Sequence, residues 1–207
     1  MTTRNQARRI TAVSLIATSV LLSACSGGQD DDAEVDLTQT SPNVEWKSGP
    51  SGLDTPTGAA GPHETNPVPH GWDHNPHGAV LAAIAGQVWM AGADDATFPQ
   101  VSTTMLEPGP GRTQWAQARA LVTVDGQVSD PVKFTGFYFG DYSDDRATVV
   151  VATEWPDGAR RAFPIQVSHA SGDWRVVLPE QGQEPDYTEI TDDNDDKFIT
   201  LTSGDEE

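Results

Sequence analysis

The hydrophobic pattern of this chain changes period once, near Gly126, and that change limits the fold more than any other feature. Upstream, Val80, Leu81, Ile84 and Val88 recur at helical spacing, with Ala79, Ala82, Ala83 and Ala85 keeping the rest of the helix narrow. Asn75-Pro76 is a helix start, a capping side chain before a proline in the first helical position, and Gly92 is its stop. A second helix is expected over Phe98–Leu106, with Phe98, Val101 and Met105 on one side. Glu107-Pro108-Gly109-Pro110-Gly111 interrupts the chain. A third helix over Thr113–Val122 then turns Trp115, Ala118 and Val122 inward. Downstream of Gly126 the period is two. Val132–Tyr142 carries Phe134, Phe137, Tyr138 and Phe139. Ala147, Val149, Val151 and Trp155 share a face of the next strand, Phe163, Ile165 and Val167 of a third, and Trp174, Val176 and Leu178 of a fourth. The linkers Ser143-Asp144-Asp145, Pro156-Asp157-Gly158 and Ala170-Ser171-Gly172-Asp173 have hairpin chemistry. Pro164 lacks a ladder donor and belongs at an edge or bulge. Helices followed by a meander predict an α+β fold, a curved antiparallel four-stranded sheet wrapped over N-terminal helices.

Charge places this domain within the chain. Among 207 residues, 12 are Lys or Arg and 31 are Asp or Glu, a formal net charge of −19. Such a surface excludes nucleic acid as a default partner, because phosphate binding needs a basic face. Most of the acid lies in two flanks. One begins with Asp30, Asp31, Asp32, Glu34 and Asp36; the other holds Asp192, Asp193, Asp195, Asp196, Asp205, Glu206 and Glu207. Both are poor in aliphatic residues, so an acidic Gly/Pro-rich tether is expected over 25–69 and a disordered acidic tail over 180–207. Trp46 is the exception, a residue suited to docking on the domain. The folded part is thereby placed at 70–179. The run Asp192–Asp196 fails as a calcium loop: Lys197 stands where the turn glycine belongs and Ser203 where a bidentate Glu belongs.

The N-terminus reads as an address. Arg4, Arg8 and Arg9 precede the uncharged run Ile10–Ala24, the proportions of a signal peptide over 1–24. Leu22-Ser23-Ala24-Cys25 resembles the lipobox of bacterial lipoproteins. The resemblance implies diacylglyceryl transfer to the Cys25 thiol and cleavage before it. Cys25 is the only cysteine, so lipidation leaves no thiol for disulfide, redox or nucleophilic chemistry.

The order of helices and strands resembles the nuclear-transport-factor-2-like (cystatin-like) cone. Trp46, Gly49-Pro50, Gly61-Pro62, the run Gly71–Ala79, Pro108–Arg112 and Trp174–Pro179 are similar to an actinobacterial exported domain family of uncharacterised function. This likeness implies a membrane-tethered scaffold, in some cases accessory to a conjugation or secretion apparatus, and brings no catalytic residues with it.

Within the domain, His70, His74 and His77 with Asp73 are the densest set of ligand-type side chains. Pro76 keeps the residue before it extended, so His74 precedes the helix while His77 enters its first turn, and the two miss the i, i+4 spacing of a helical zinc pair. His74 is therefore expected to be structural, bonded toward the sheet. The assignment is no metal and no cofactor, with His70, His74 and His77 the candidates if one is bound. Gly109-Pro110-Gly111-Arg112 reads as a rigid interhelical turn rather than an anion cradle, since two prolines remove donors. Arg160-Arg161 faces Glu154 and Asp157 across a hairpin. Ser143 and Ser168 lack the turn context of a hydrolase nucleophile.

These readings converge on a cell-envelope lipoprotein, anchored through the lipid on Cys25 at the extracytoplasmic face of the cell membrane. Its domain is non-catalytic and meets other envelope proteins. Two alternatives stay open: a small-ligand module with an apolar cavity in the cone, and an enzyme using His74 and Asp73. The oligomeric state is not encoded legibly.

Overall fold

The structure, a computed structural model, describes residues 35–203. The signal segment 1–24 and Cys25 lie outside the described residues. In chain order the elements are β1 (Glu45–Ser48), β2 (Asp54–Thr57), α1 (Pro76–Gly92), α2 (Phe98–Gln100, continued by a π-helical turn over Val101–Met105) and α3 (Pro110–Arg119). Six strands follow: β3 (Lys133–Ser143), β4 (Arg146–Glu154), β5 (Arg160–Ser168), β6 (Arg175–Val177), β7 (Thr188–Glu189) and β8 (Ile199–Thr200). No helix among the described residues is long and apolar enough to cross a membrane.

The period-two stretch forms the antiparallel meander its pattern predicts, β3 on β4 on β5 on β6. Its register puts Val149 opposite Ile165 and Phe139, and Val151 opposite Phe163 and Phe137, on one face. That face carries the core. Phe137, Val149, Val151, Val167, Trp174 and Val176 pack there with Val80, Leu81 and Ile84 of α1. Gly86 lets α1 sit this close, since a Cβ there would stand 2.4 Å from Val176 Cγ2. The start of α1 is the one its sequence encodes: Asn75 is extended and its side chain accepts from the Gly78 N–H at 2.9 Å, with Pro76 in the first turn. Pro164 also obeys its chemistry. On the outer edge of β5, β6 pairs with Gln166–Ser168 and β7 with Arg161–Ala162, so Pro164 lies between them where no ladder donor is needed.

The four-stranded cone is corrected. The principal sheet has six strands, ordered β6-β5-β4-β3-β8 with β7 beside β5, and β1 and β2 make a separate two-stranded sheet. The fold is mostly β, with three helices beside it, and not a helical layer on a nuclear-transport-factor-2-like cone. The extra strands come from the acidic flanks. β7 and β8 are two residues each, too short to show a period.

The flanks are correspondingly ordered where they are described. Val44 and Val68 are fully buried and Ala60 nearly so, which ends the tether reading well before residue 69. Trp46 docks against the core as its chemistry suggests. On the C-terminal side Ile190 and Leu201 are buried. The Arg160 guanidinium grips both Asp195 carboxylate oxygens at 2.6 and 3.1 Å, tying the acidic run to β5. The two flanks also meet: the Val44 N–H donates to the Thr202 carbonyl at 2.8 Å, and Val44 bridges Ser203 in parallel.

Candidate functional site

The loop Gly71–Asn75, which leads into α1, is held by a carboxylate from the far end of the chain. Asp173, in the turn before β6, accepts from the N–H groups of Gly71 (2.7 Å), Trp72 (2.9 Å) and Trp174 (2.9 Å). Three backbone donors on one carboxylate make a strong, directional anchor. The Trp174 indole N–H donates to the Asp73 carbonyl at 3.0 Å, closing the same link from the other side. Trp72 and Trp174 are both buried beneath the loop. The backbone carrying His74 is therefore fixed to the turn before β6 at three points.

On this frame two imidazoles stack. The His74 ring lies against His169, at the end of β5, with centroids 3.7 Å apart and planes 6° from parallel. Trp174 meets both edge-on, at 5.8 and 5.2 Å. His74 Nε2 is hydrogen-bonded to the Asp144 carbonyl in the β3–β4 turn. A carbonyl only accepts, so Nε2 carries a proton, and in the neutral tautomer Nδ1 is the lone-pair nitrogen. The next residue in that turn, Asp145, accepts the His169 N–H on its carbonyl at 2.9 Å. Burial, and then the charge of His74, hold His169 below the usual imidazole range, against the opposing pull of Asp173 and Asp145.

Three segments distant in sequence converge here: the loop before α1, the β3–β4 turn and the end of β5. One ligand atom each from His74, Asp145 and His169 lie within 4.8 Å of one another, the group among the described residues with that property. The set is two nitrogens and one oxygen. In chemical terms it can bind a borderline divalent metal, hold a proton between rings, or serve as a polar contact at the domain surface.

The other candidates are dispersed. His70 Nδ1 donates to the Val68 carbonyl at 2.8 Å, and His77 Nε2 donates to the Thr40 carbonyl at 3.1 Å. The spacing of His70, His74 and His77 therefore does not translate into a shared centre. The expectation that His74 bonds toward the sheet agrees with its contact to Asp144. Asp73 pairs with His63 at 2.8 Å, not with His74, which separates the two groups proposed for acid–base work. Gly111 explains the turn before α3: a Cβ there would stand 2.2 Å from the Leu178 carbonyl oxygen, so the glycine serves close packing. Arg161 reaches Asp157 at 3.6 Å. Neither His169 nor Asp145 stood out in the sequence. Each is a turn or strand-end residue among many, and only the register of β3, β4 and β5 sets them beside His74.

Two concavities lie elsewhere. An open groove of about 740 Å³ runs between the chain flanks, with Pro42, Asn43, Thr57, His77 and Thr202 on its walls. A smaller one of about 280 Å³ lies between the second face of the sheet and the C-terminal segment, among Tyr138, Val150, Pro164, Ile190 and Phe198. A buried cation closes a third region: Arg119 Nη2 donates to the Ala93 carbonyl at 2.7 Å, Nη1 bonds Asp95 at 3.0 Å, and the guanidinium lies over Phe98. This locks the end of α3 onto the end of α1.

Compared with known protein families, the chain matches a domain of unknown function, DUF8175, over residues 16–196, and it belongs to that family. No curated protein and no solved structure matches it.

Proposed function

We propose that this protein is a lipid-anchored component of the cell envelope whose β-rich domain is a non-catalytic interaction module held close to the membrane. The observation that carries the reading is the box Leu22-Ser23-Ala24-Cys25 behind an Arg-led uncharged run. A diacylglyceryl thioether on Cys25 gives two acyl chains, enough for stable anchoring. Packed structure begins soon after it, with Val44 fully buried. The short connection, fewer than twenty residues, keeps the domain within about 70 Å of the bilayer even at full extension. Positioning at the membrane, rather than a long reach from it, is the use that such spacing favours. A role beside a conjugation or secretion apparatus of an actinobacterial envelope is the finer form of the proposal.

The test is fractionation of cells expressing wild type and Cys25→Ser. Wild type is expected to partition into the detergent phase as a processed form, and the variant to accumulate as an unprocessed precursor or to leave the detergent phase. A Cys25→Ser chain that is processed and still detergent-partitioning contradicts the reading.

A further inference from the structure

We infer that His74, His169 and Asp145 form a surface site for a single divalent transition metal of the zinc class. The donor set is the first argument. Two imidazoles and a carboxylate suit zinc, nickel or copper over calcium or magnesium, which prefer all-oxygen shells. Three protein ligands also leave an open coordination position, so the site has room for a fourth ligand from solvent or a partner.

Preparation of the ligands is the second argument. A metal-binding histidine commonly donates its non-ligating N–H to a carbonyl or carboxylate, which fixes the tautomer and the ring. His74 does this through Nε2 to Asp144, leaving Nδ1 as the lone pair. The Asp145 backbone is set in place by the His169 backbone N–H, which donates to the Asp145 carbonyl. The loop behind His74 is pinned by two of its backbone donors, Gly71 and Trp72, on the Asp173 carboxylate.

The third argument is what the stack lacks. Two parallel imidazoles 3.7 Å apart repel each other if both are charged, and among the described residues the His169 ring makes no side-chain hydrogen bond that would hold it there. On metal binding the His169 ring turns about its Cβ–Cγ bond toward Nδ1 of His74, whose own ring stays on the Asp144 carbonyl. His74 and Asp145 are exposed and His169 is half-buried, so an ion can reach the three side chains from solvent. The surrounding acidic surface concentrates cations at the site.

The experiment uses the full chain in detergent with Cys25→Ser, so that no thiol competes. Equilibrium dialysis against Zn²⁺ is expected to show one ion per chain, undisturbed by Ca²⁺ or Mg²⁺. Asp145→Asn, an exposed change whose fold is checked by circular dichroism, should weaken binding by about 10-fold or more, and His169→Gln by about 100-fold. The ring ¹⁵N resonances of His74 and His169 should move on adding zinc while those of His70 and His77 stay. No saturable uptake, or uptake indifferent to Asp145→Asn and His169→Gln, overturns the inference. So does a zinc-dependent shift of His70 and His77 with His74 unmoved.

Discussion

The sheet has two faces, built from alternating residues of the same strands and covered very differently. On one, Val149, Val151, Ile165 and Val167 lie beneath α1, and the cover is a continuous helix with Val80, Leu81 and Ile84 pointing down. On the other, Ala152 and Ala162 lie beneath Ile190, with Val150 and Phe198 only partly buried. The strands contribute branched side chains to the first face and alanines to the second. One cover is a helix that satisfies its own backbone; the other is an irregular acidic segment pinned by Arg160 and two-residue strands. Burial on the first face should dominate global stability, while the second adds a local strap that opens more easily.

Matched truncations test that difference, beginning with the larger effect. Ile84→Ala removes a fully buried side chain from close-packed surroundings and should cost about 3–5 kcal/mol by denaturant unfolding. Ile190→Ala removes the same atoms from a cluster whose cover can settle inward, and should cost only about 1–2 kcal/mol. Equal losses would break the comparison.

A smaller effect sharpens the view of the N-terminal flank. Burial holds His77 below the usual imidazole range, against a backbone bond from Thr40 that acts the other way. The unfolded chain then takes up the proton first. Stability should be complete above about pH 6.5 and decline as the pH falls below it, until the folded ring also titrates. His169 shifts in the same direction, so the His77 contribution is the difference between wild type and His77→Gln. Parallel stability–pH curves for the two proteins would show that the burial of His77 is not maintained.

Local chemistry was readable in the sequence wherever one residue decides the outcome. Asn75 and Pro76 open α1, Asp-containing turns separate the strands, and Pro164 sits where no donor is needed. Periodicity also located both halves of the main core. What stayed hidden depends on partners far along the chain. Val44 and Val68 are isolated apolar residues in polar stretches, and nothing near them announces that Leu81 and the sheet will bury them. Ile190, Phe198 and Leu201 stand among Asp and Thr, where composition argues for disorder. That argument fails because Arg160 and the edge of β3 supply the missing contacts. The site shows the same limit. His74 drew attention through its neighbours His70 and His77, whereas its spatial partners, Asp145 and His169, belong to other turns.

The central claim, that the C-terminal acidic segment belongs to the folded module but covers its face of the sheet less firmly than α1 covers the other, is tested most directly by native-state hydrogen exchange. The amides of Val149 and Val151 in β4 should exchange only through global unfolding. Those of Ile190, bonded to the Arg160 carbonyl, and Leu201, bonded to the Thr135 carbonyl, should exchange through a lower-energy opening. They should nevertheless remain at least about 100-fold slower than an unstructured chain. Ile190 and Leu201 amides exchanging at unprotected rates would contradict the account.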